Sequence, residues 1–153
     1  MTKQELYYSY KYEMWQYDTQ RKAVPTISEA IGEADSVLHE YCTSWVDIYP
    51  QNGETEPCGF LIVGTEGNCP PESDYFIEAC YVAPMYRKRG FAKKAISDFA
   101  KSHKGRYVTF VGKNNRQAKG LFATSIKDME AKPNKITDFT GLYPDCEQLS
   151  FVI

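Results

Sequence analysis

Residues 75–100, YFIEACYVAP-MYRKRG-FAKKAISDFA, join three different local patterns end to end, and no other stretch narrows the fold as much. The first ten are apolar or aromatic apart from Glu78 and stop at Pro84, which cannot extend a ladder, so they read as a strand. From Phe91 to about Ala100 the residues Phe91, Ala92, Ala95, Ile96, Phe99 and Ala100 form one apolar stripe. Lys93, Lys94, Ser97 and Asp98 face away from it, as in an amphipathic helix. Between strand and helix lie three cations, Arg87, Lys88 and Arg89, closed by Gly90. A strand that feeds a helix through so short a turn must bury one face of each against the other, which predicts an α/β layered fold.

The remaining segments extend this frame. Strands are predicted over 44–50, 58–65 and 105–112, with a last one at the C-terminus in EQLSFVI. An Asn-Gly turn at Asn52 and Gly53 joins the first two as a hairpin. The stretch 114–129 predicts a helix with Ala118, Leu121, Phe122 and Ile126 on one side. TISEAIGEADSVLHEYC predicts a helix on the capping-box spacing of Thr26 and Glu29, with Ile27, Ile31, Ala34 and Leu38 as its apolar face. The tyrosine-dense N-terminus is assigned to a helix on the spacing of Leu6, Tyr10, Met14 and Tyr17. The order of helices, hairpin and then β-α-β-α-β predicts one domain over residues 1–153. Its form is expected to be an α/β sandwich around a mixed sheet.

Charge is segregated along the chain. Residues 1–80 hold 4 Lys/Arg against 14 Asp/Glu, a net −10, whereas 87–119 hold 11 Lys/Arg against the single acid Asp98, a net +10. The segment 87–119 should attract a polyanion. It has no aromatic interleaving and no helix-turn-helix or RNP pattern, which argues against nucleic acid. The N-terminus has no signal-peptide core and no apolar run nears the roughly 20 residues of a membrane span. A cytoplasmic protein without a membrane partner is therefore expected. Five widely spaced cysteines without a CxxC pair, and two distant histidines, suggest neither a disulfide framework nor a metal site. An open edge on the terminal strand would suit pairing with a second copy, as a homodimer.

The basic turn has its own chemistry. The first amides of a helix lack internal partners and sit at the positive end of the macrodipole. Gly90 lets a ligand approach the backbone, and Arg87, Lys88 and Arg89 supply further charge and donors. Together these suit a phosphate.

The stretch Val82-Ala-Pro-Met-Tyr-Arg87-Lys-Arg-Gly90-Phe-Ala92 resembles the acyl-CoA-binding signature of the GNAT acetyltransferase superfamily, Arg/Gln-x-x-Gly-x-Gly/Ala after a strand ending Val-x-Pro. Asn115-Arg-Gln-Ala118-Lys-Gly-Leu121-Phe122 is similar to its second signature, Asn-x-x-Ala-x-x-Leu-Tyr. The resemblance covers roughly residues 58–126. It implies a GNAT-like α/β fold, a central, mixed and mostly antiparallel sheet flanked by helices, with acetyl-CoA as co-substrate. The backbone of Tyr81, Val82 and Ala83 would pair with the pantetheine arm, and the amides from Arg87 through Lys88, Arg89, Gly90 and Phe91 to Ala92 would hold the pyrophosphate. Asn115 would contact the pantetheine, with Ala118 and Phe122 near the thioester. The implied reaction is direct attack by an amine, of a small molecule or a peptide, and needs a base. Glu78, a carboxylate within an apolar strand, is the candidate for catalytic base. The chain departs from the family at Phe122, which cannot protonate a leaving thiolate as tyrosine would. Tyr81, Tyr86 and Tyr143 are alternative donors. The departure also favours a rival expectation, an acyl-CoA sensor that does not catalyse. The acidic, aromatic segment 1–50 is expected to build the acceptor side.

Overall fold

The computed structural model describes residues 1–18, 22–50 and 53–153. The N-terminal helix α1 (Lys3–Tyr17) is fixed by a capping box: the Thr2 hydroxyl accepts from the Glu5 amide and the Glu5 carboxylate accepts from the Thr2 amide. The second helix α2 (Ile27–Leu38) starts on Thr26, whose side chain accepts from the Glu29 amide. Its buried face is Ala30 and Ala34, not the predicted Ile27 and Ile31, which are 56% and 39% exposed. Alanines one turn apart let α2 lie close against α1. The pair is laced by Tyr7 to Glu33, Gln4 to Asp35 and Lys11 to Glu33.

Six strands follow: β1 (Thr43–Ile48), β2 (Gly59–Gly64), β3 (Tyr75–Val82), β4 (Arg106–Gly112), β5 (Lys132–Pro133) and β6 (Cys146–Val152), in the spatial order β1-β2-β3-β4-β6-β5. All pairings are antiparallel except β3 with β4, the mixed and mostly antiparallel sheet expected. Two helices connect the later strands, α3 (Phe91–Ser102) and α4 (Arg116–Asp128). The two-residue β5 had no sequence signal, being too short for a period and containing a proline that only an edge tolerates. It covers part of the β6 edge on which the homodimer expectation rested, pairing with Phe151 and Val152. Half of the predicted Asn-Gly turn, Asn52, lies outside the described residues, while Gly53 has φ +89°.

The sheet divides the core in two. On one face α3 and α4 bury Leu61, Ile77, Ile96, Tyr107, Phe122 and Phe151; on the other α1 and α2 bury Phe60, Ile62, Ala79 and Tyr81. Strand β3 crosses from one regime to the other at a bulge. Ile62 pairs with Ala79 and Val63 with Ile77, so Glu78 has no partner on β2. The extra residue resets the alternation: Ile77 faces α3 and α4, whereas Ala79 and Tyr81 face α1 and α2. At the same level β3 and β4 part. They pair only from Tyr75 with Tyr107 to Ile77 with Thr109, although both run on. The buried Thr109 hydroxyl donates to the Ile77 carbonyl at 2.9 Å and fixes the fork. Among the described residues no helix is long and apolar enough to cross a membrane, and no three His, Cys, Asp or Glu residues gather as metal ligands would.

Candidate active site

Beyond the fork β3 keeps one free edge. The Ala83 amide donates to the Cys58 carbonyl on the β2 side, so by strand alternation the backbone groups of Val82 and Cys80 point the other way, into the gap left by β4. Pro84 then ends the strand in a single 3-10 turn, Pro84–Tyr86. Lys88 and Gly90 follow in left-handed conformations, φ +63° and +81°. Lys88 bears the cost of that conformation that a glycine would avoid. Gly90 is the N-cap of α3 and offers no side chain to cap it. The first internal bond of α3 runs from the Lys94 amide to the Gly90 carbonyl. The amides of Phe91, Ala92 and Lys93 therefore have no acceptor among the described residues, and a Cβ built at Gly90 would meet no atom within 4 Å.

Those amides open on a cleft of about 490 Å³ that runs along the fork. Its walls are Cys80, Tyr81 and Val82 of β3, the turn from Tyr86 to Gly90, the start of α3 at Phe91 and Ala92, and Asn115, Ala118, Leu121 and Thr124 along α4. Tyr81, Val82, Arg87, Lys88, Gly90, Phe91, Ala92, Asn115 and Ala118, all singled out in the sequence, are thus brought together. Four others are not. Ala83 is buried against α1 with its amide engaged. Arg89 turns outward over the Tyr86 ring at 5.8 Å, Phe122 is 5% exposed in the core beneath α4, and Glu78 lies at the bulge. Asn115 holds α4 by accepting from the Ala118 amide at 3.0 Å.

Arg87 does more than add charge to the turn. Its Nε donates to the Val82 carbonyl at 2.8 Å, its two terminal nitrogens grip both carboxylate oxygens of Glu13, and Nη1 also reaches Gln117 at 3.1 Å. The guanidinium lies 5.3 Å from the Tyr81 ring centroid. One side chain thereby ties α1, β3, the turn and α4, and Glu13 raises its pKa further. Glu13 and Met14 of α1 line the cleft, a contribution the sequence did not signal because Glu13 stands 74 positions from Arg87.

Glu78 is half-buried on the α1–α2 side of the bulge. The Asn68 side-chain amide donates to it at 3.2 Å and to Thr43 at 2.9 Å. Burial, and next the Glu40 carboxylate, push its pKa above the ordinary carboxylate range, and the Asn68 bond offsets this in part. Tyr10 of α1 packs edge-on against Phe60 and Tyr81, and burial with the nearby Glu78 charge pushes its phenol up to about 12. Tyr10 thus stays protonated at neutral pH.

The chain matches the Acetyltransferase (GNAT) family over residues 4–125. Its fold is shared by a GNAT-family acetyltransferase from Bacillus anthracis (TM-score 0.64, 14% identity, covering 98% of this chain and 87% of that one). It is also shared by an acetyltransferase from Thermus thermophilus (0.61, 15%, 100% and 92%). A third is the diaminobutyrate acetyltransferase of Paenibacillus lautus, solved with L-2,4-diaminobutyric acid and coenzyme A (0.56, 16%, 95% and 90%). No curated protein matches the sequence. A matched span that takes in both helical layers, the bulged strand and the uncapped turn makes this chain a member of the GNAT acetyltransferase family.

Proposed function

We propose that the protein transfers an acetyl group from acetyl-CoA to a primary amine by direct attack in a ternary complex. The observation that carries this reading is the set of uncapped α3 amides at Gly90 opening on the 490 Å³ cleft, a cradle for a diphosphate with no Cβ in the way. The amides of the Arg87–Ala92 turn bind the pyrophosphate, with Lys88 beside it, while Arg89 faces outward over Tyr86. On the open edge of β3 the Val82 amide and the Cys80 backbone offer strand-like hydrogen bonds to a pantetheine arm, the Val82 carbonyl being held by Arg87, and Asn115 and Ala118 flank that arm from α4. Acetyl-CoA supplies an activated acyl carbon on a sulfur leaving group.

Glu78 takes the proton from the attacking ammonium and so frees its lone pair. The new C–N bond forms as the C–S bond breaks, the electron pair leaves on sulfur, and the second proton of the nitrogen passes to water. Phe122 offers no proton to that sulfur and lies in the core, away from the cleft. A thiol about as acidic as free cysteine, pKa ~8.5, can depart as thiolate without a donor.

Calorimetric titration should show saturable acetyl-CoA binding that Gly90→Glu abolishes, since the new carboxylate enters the anion site and the backbone there has φ +81°. Unaltered binding in that variant would refute the assignment of the turn. The second reading, an acyl-CoA sensor, is favoured by the missing hydroxyl at Phe122. Coenzyme A thiol release with any member of an amine panel removes it.

A further inference from the structure

Beyond the fork, Glu78 and Phe110 are the first residues past the last paired positions, Ile77 and Thr109, on their two strands. Tyr107 and Val111 face α3 and α4, so the alternation of β4 turns Phe110 to the α1–α2 side, where Glu78 lies. Helices α1 and α2 pack on that side against β1, β2 and β3. Over β4 and β6 it is covered by the irregular stretch 134–145, pinned in several places. The Phe139 amide donates to Gln148 at 2.8 Å, Gln148 donates to the Thr137 carbonyl at 3.1 Å, and the Lys113 amide donates to the Asp145 carbonyl at 2.8 Å. Held this way, Tyr143 stacks on Phe110 with ring centroids 4.5 Å apart and planes at 28°, and Phe76 meets Phe110 edge-on at 5.6 Å. Tyr143 is 40% exposed, so part of the stack is accessible to a ligand.

Resting on the acyl-transfer reading above, we propose that Phe110 and Tyr143 form the specificity wall of the acceptor site, and that the acceptor is a primary amine carrying a flat, apolar group. The ammonium is drawn to Glu78 and Glu40 at the fork while the flat group lies against the open aromatic face. An acidic floor selects a cation, and an aromatic wall prefers a planar partner to a puckered one of equal size. The stack lies outside both sequence signatures and outside the cleft assigned to the co-substrate, so it is free to set acceptor choice alone.

The test compares 2-phenylethylamine with 2-cyclohexylethylamine, equal in linker length and carbon count, the second ring being puckered, thicker and more hydrophobic, so that simple apolar burial would favour it over the flat one. Rates with acetyl-CoA are measured for the natural protein, Tyr143→Ala and Tyr143→Phe, alongside calorimetric titration of each amine into the protein with coenzyme A. The aromatic amine should show a KM or Kd lower by roughly three- to tenfold, the range an aromatic pair supplies. Tyr143→Phe keeps the difference and Tyr143→Ala erases it. Equal constants in the natural protein, or a difference that survives Tyr143→Ala, overturns the wall and leaves the transferase reading standing if turnover is seen. Tyr143-dependent binding without turnover of either amine does the reverse. Neither binding nor turnover overturns the wall.

Discussion

A half-buried carboxylate beside a second carboxylate is a poor choice for stability, and Glu78 is in that position. Its folded pKa lies above its unfolded value, so the folded state holds the proton more tightly. Stability is therefore greatest below the unfolded pKa and is lost as pH rises through the folded one. Glu78→Gln should remove that loss: its Tm should gain on the natural protein as pH climbs through the carboxylate range, a difference scanning calorimetry can follow. The same substitution should lower kcat and abolish an acid limb of kcat/KM lying above the ordinary carboxylate range; an unchanged pH profile would show that the proton goes elsewhere. At Arg87 the stake is geometry. Lysine keeps the charge but cannot hold Glu13 in two places while reaching Val82 and Gln117. Arg87→Lys should cost roughly 1–3 kcal/mol, which lowers Tm by several degrees in a chain of this size.

Among the elements, local signals identified type well and facing less well. The strand, the turn and α3 were legible because each is encoded within about ten consecutive residues. Thr2 and Glu5 carry the same spacing that marked Thr26 and Glu29, so the cap of α1 was also readable. The inward face of α2 was legible only in part: the expected stripe held the buried Ala34, but periodicity does not say what opposes a stripe, and close packing against α1 buried Ala30 beside it and left Ile27 and Ile31 exposed. Ile27→Gln and Ile31→Gln should each change stability by less than about 0.5 kcal/mol, whereas Ala34→Leu, at 0% exposure, should cost about 1–3 kcal/mol by overpacking. Urea titration separates the two cases. If the isoleucine variants prove the costlier, the helix faces the other way.

For the molecule as a whole, the +10 of residues 87–119 overstates the field a ligand meets. Arg87, Lys93, Arg106 and Lys119 are matched to Glu13, Asp128, Asp74 and Glu147, acids outside that segment, and only folding could reveal those pairings. On the proposed reading, anion binding at α3 relies on fixed peptide dipoles more than on mobile cations, so acetyl-CoA affinity should fall only shallowly with added salt. A steep decline would show that the lysines and arginines dominate. The cleft was half legible for a related reason. Its β3, α3 and α4 walls come from two contiguous motifs, while Glu13 and Met14 arrive from a helix some seventy positions upstream.

One unpaired residue in β3 and a pairing with β4 that stops after three steps leave a gap inside the sheet instead of at its rim. Its sides come from α1 on one layer and from α3 and α4 on the other. On the acyl-transfer reading proposed above, the acceptor would approach that gap from the α1–α2 face and the co-substrate from the α3–α4 face, so that neither crosses the route of the other.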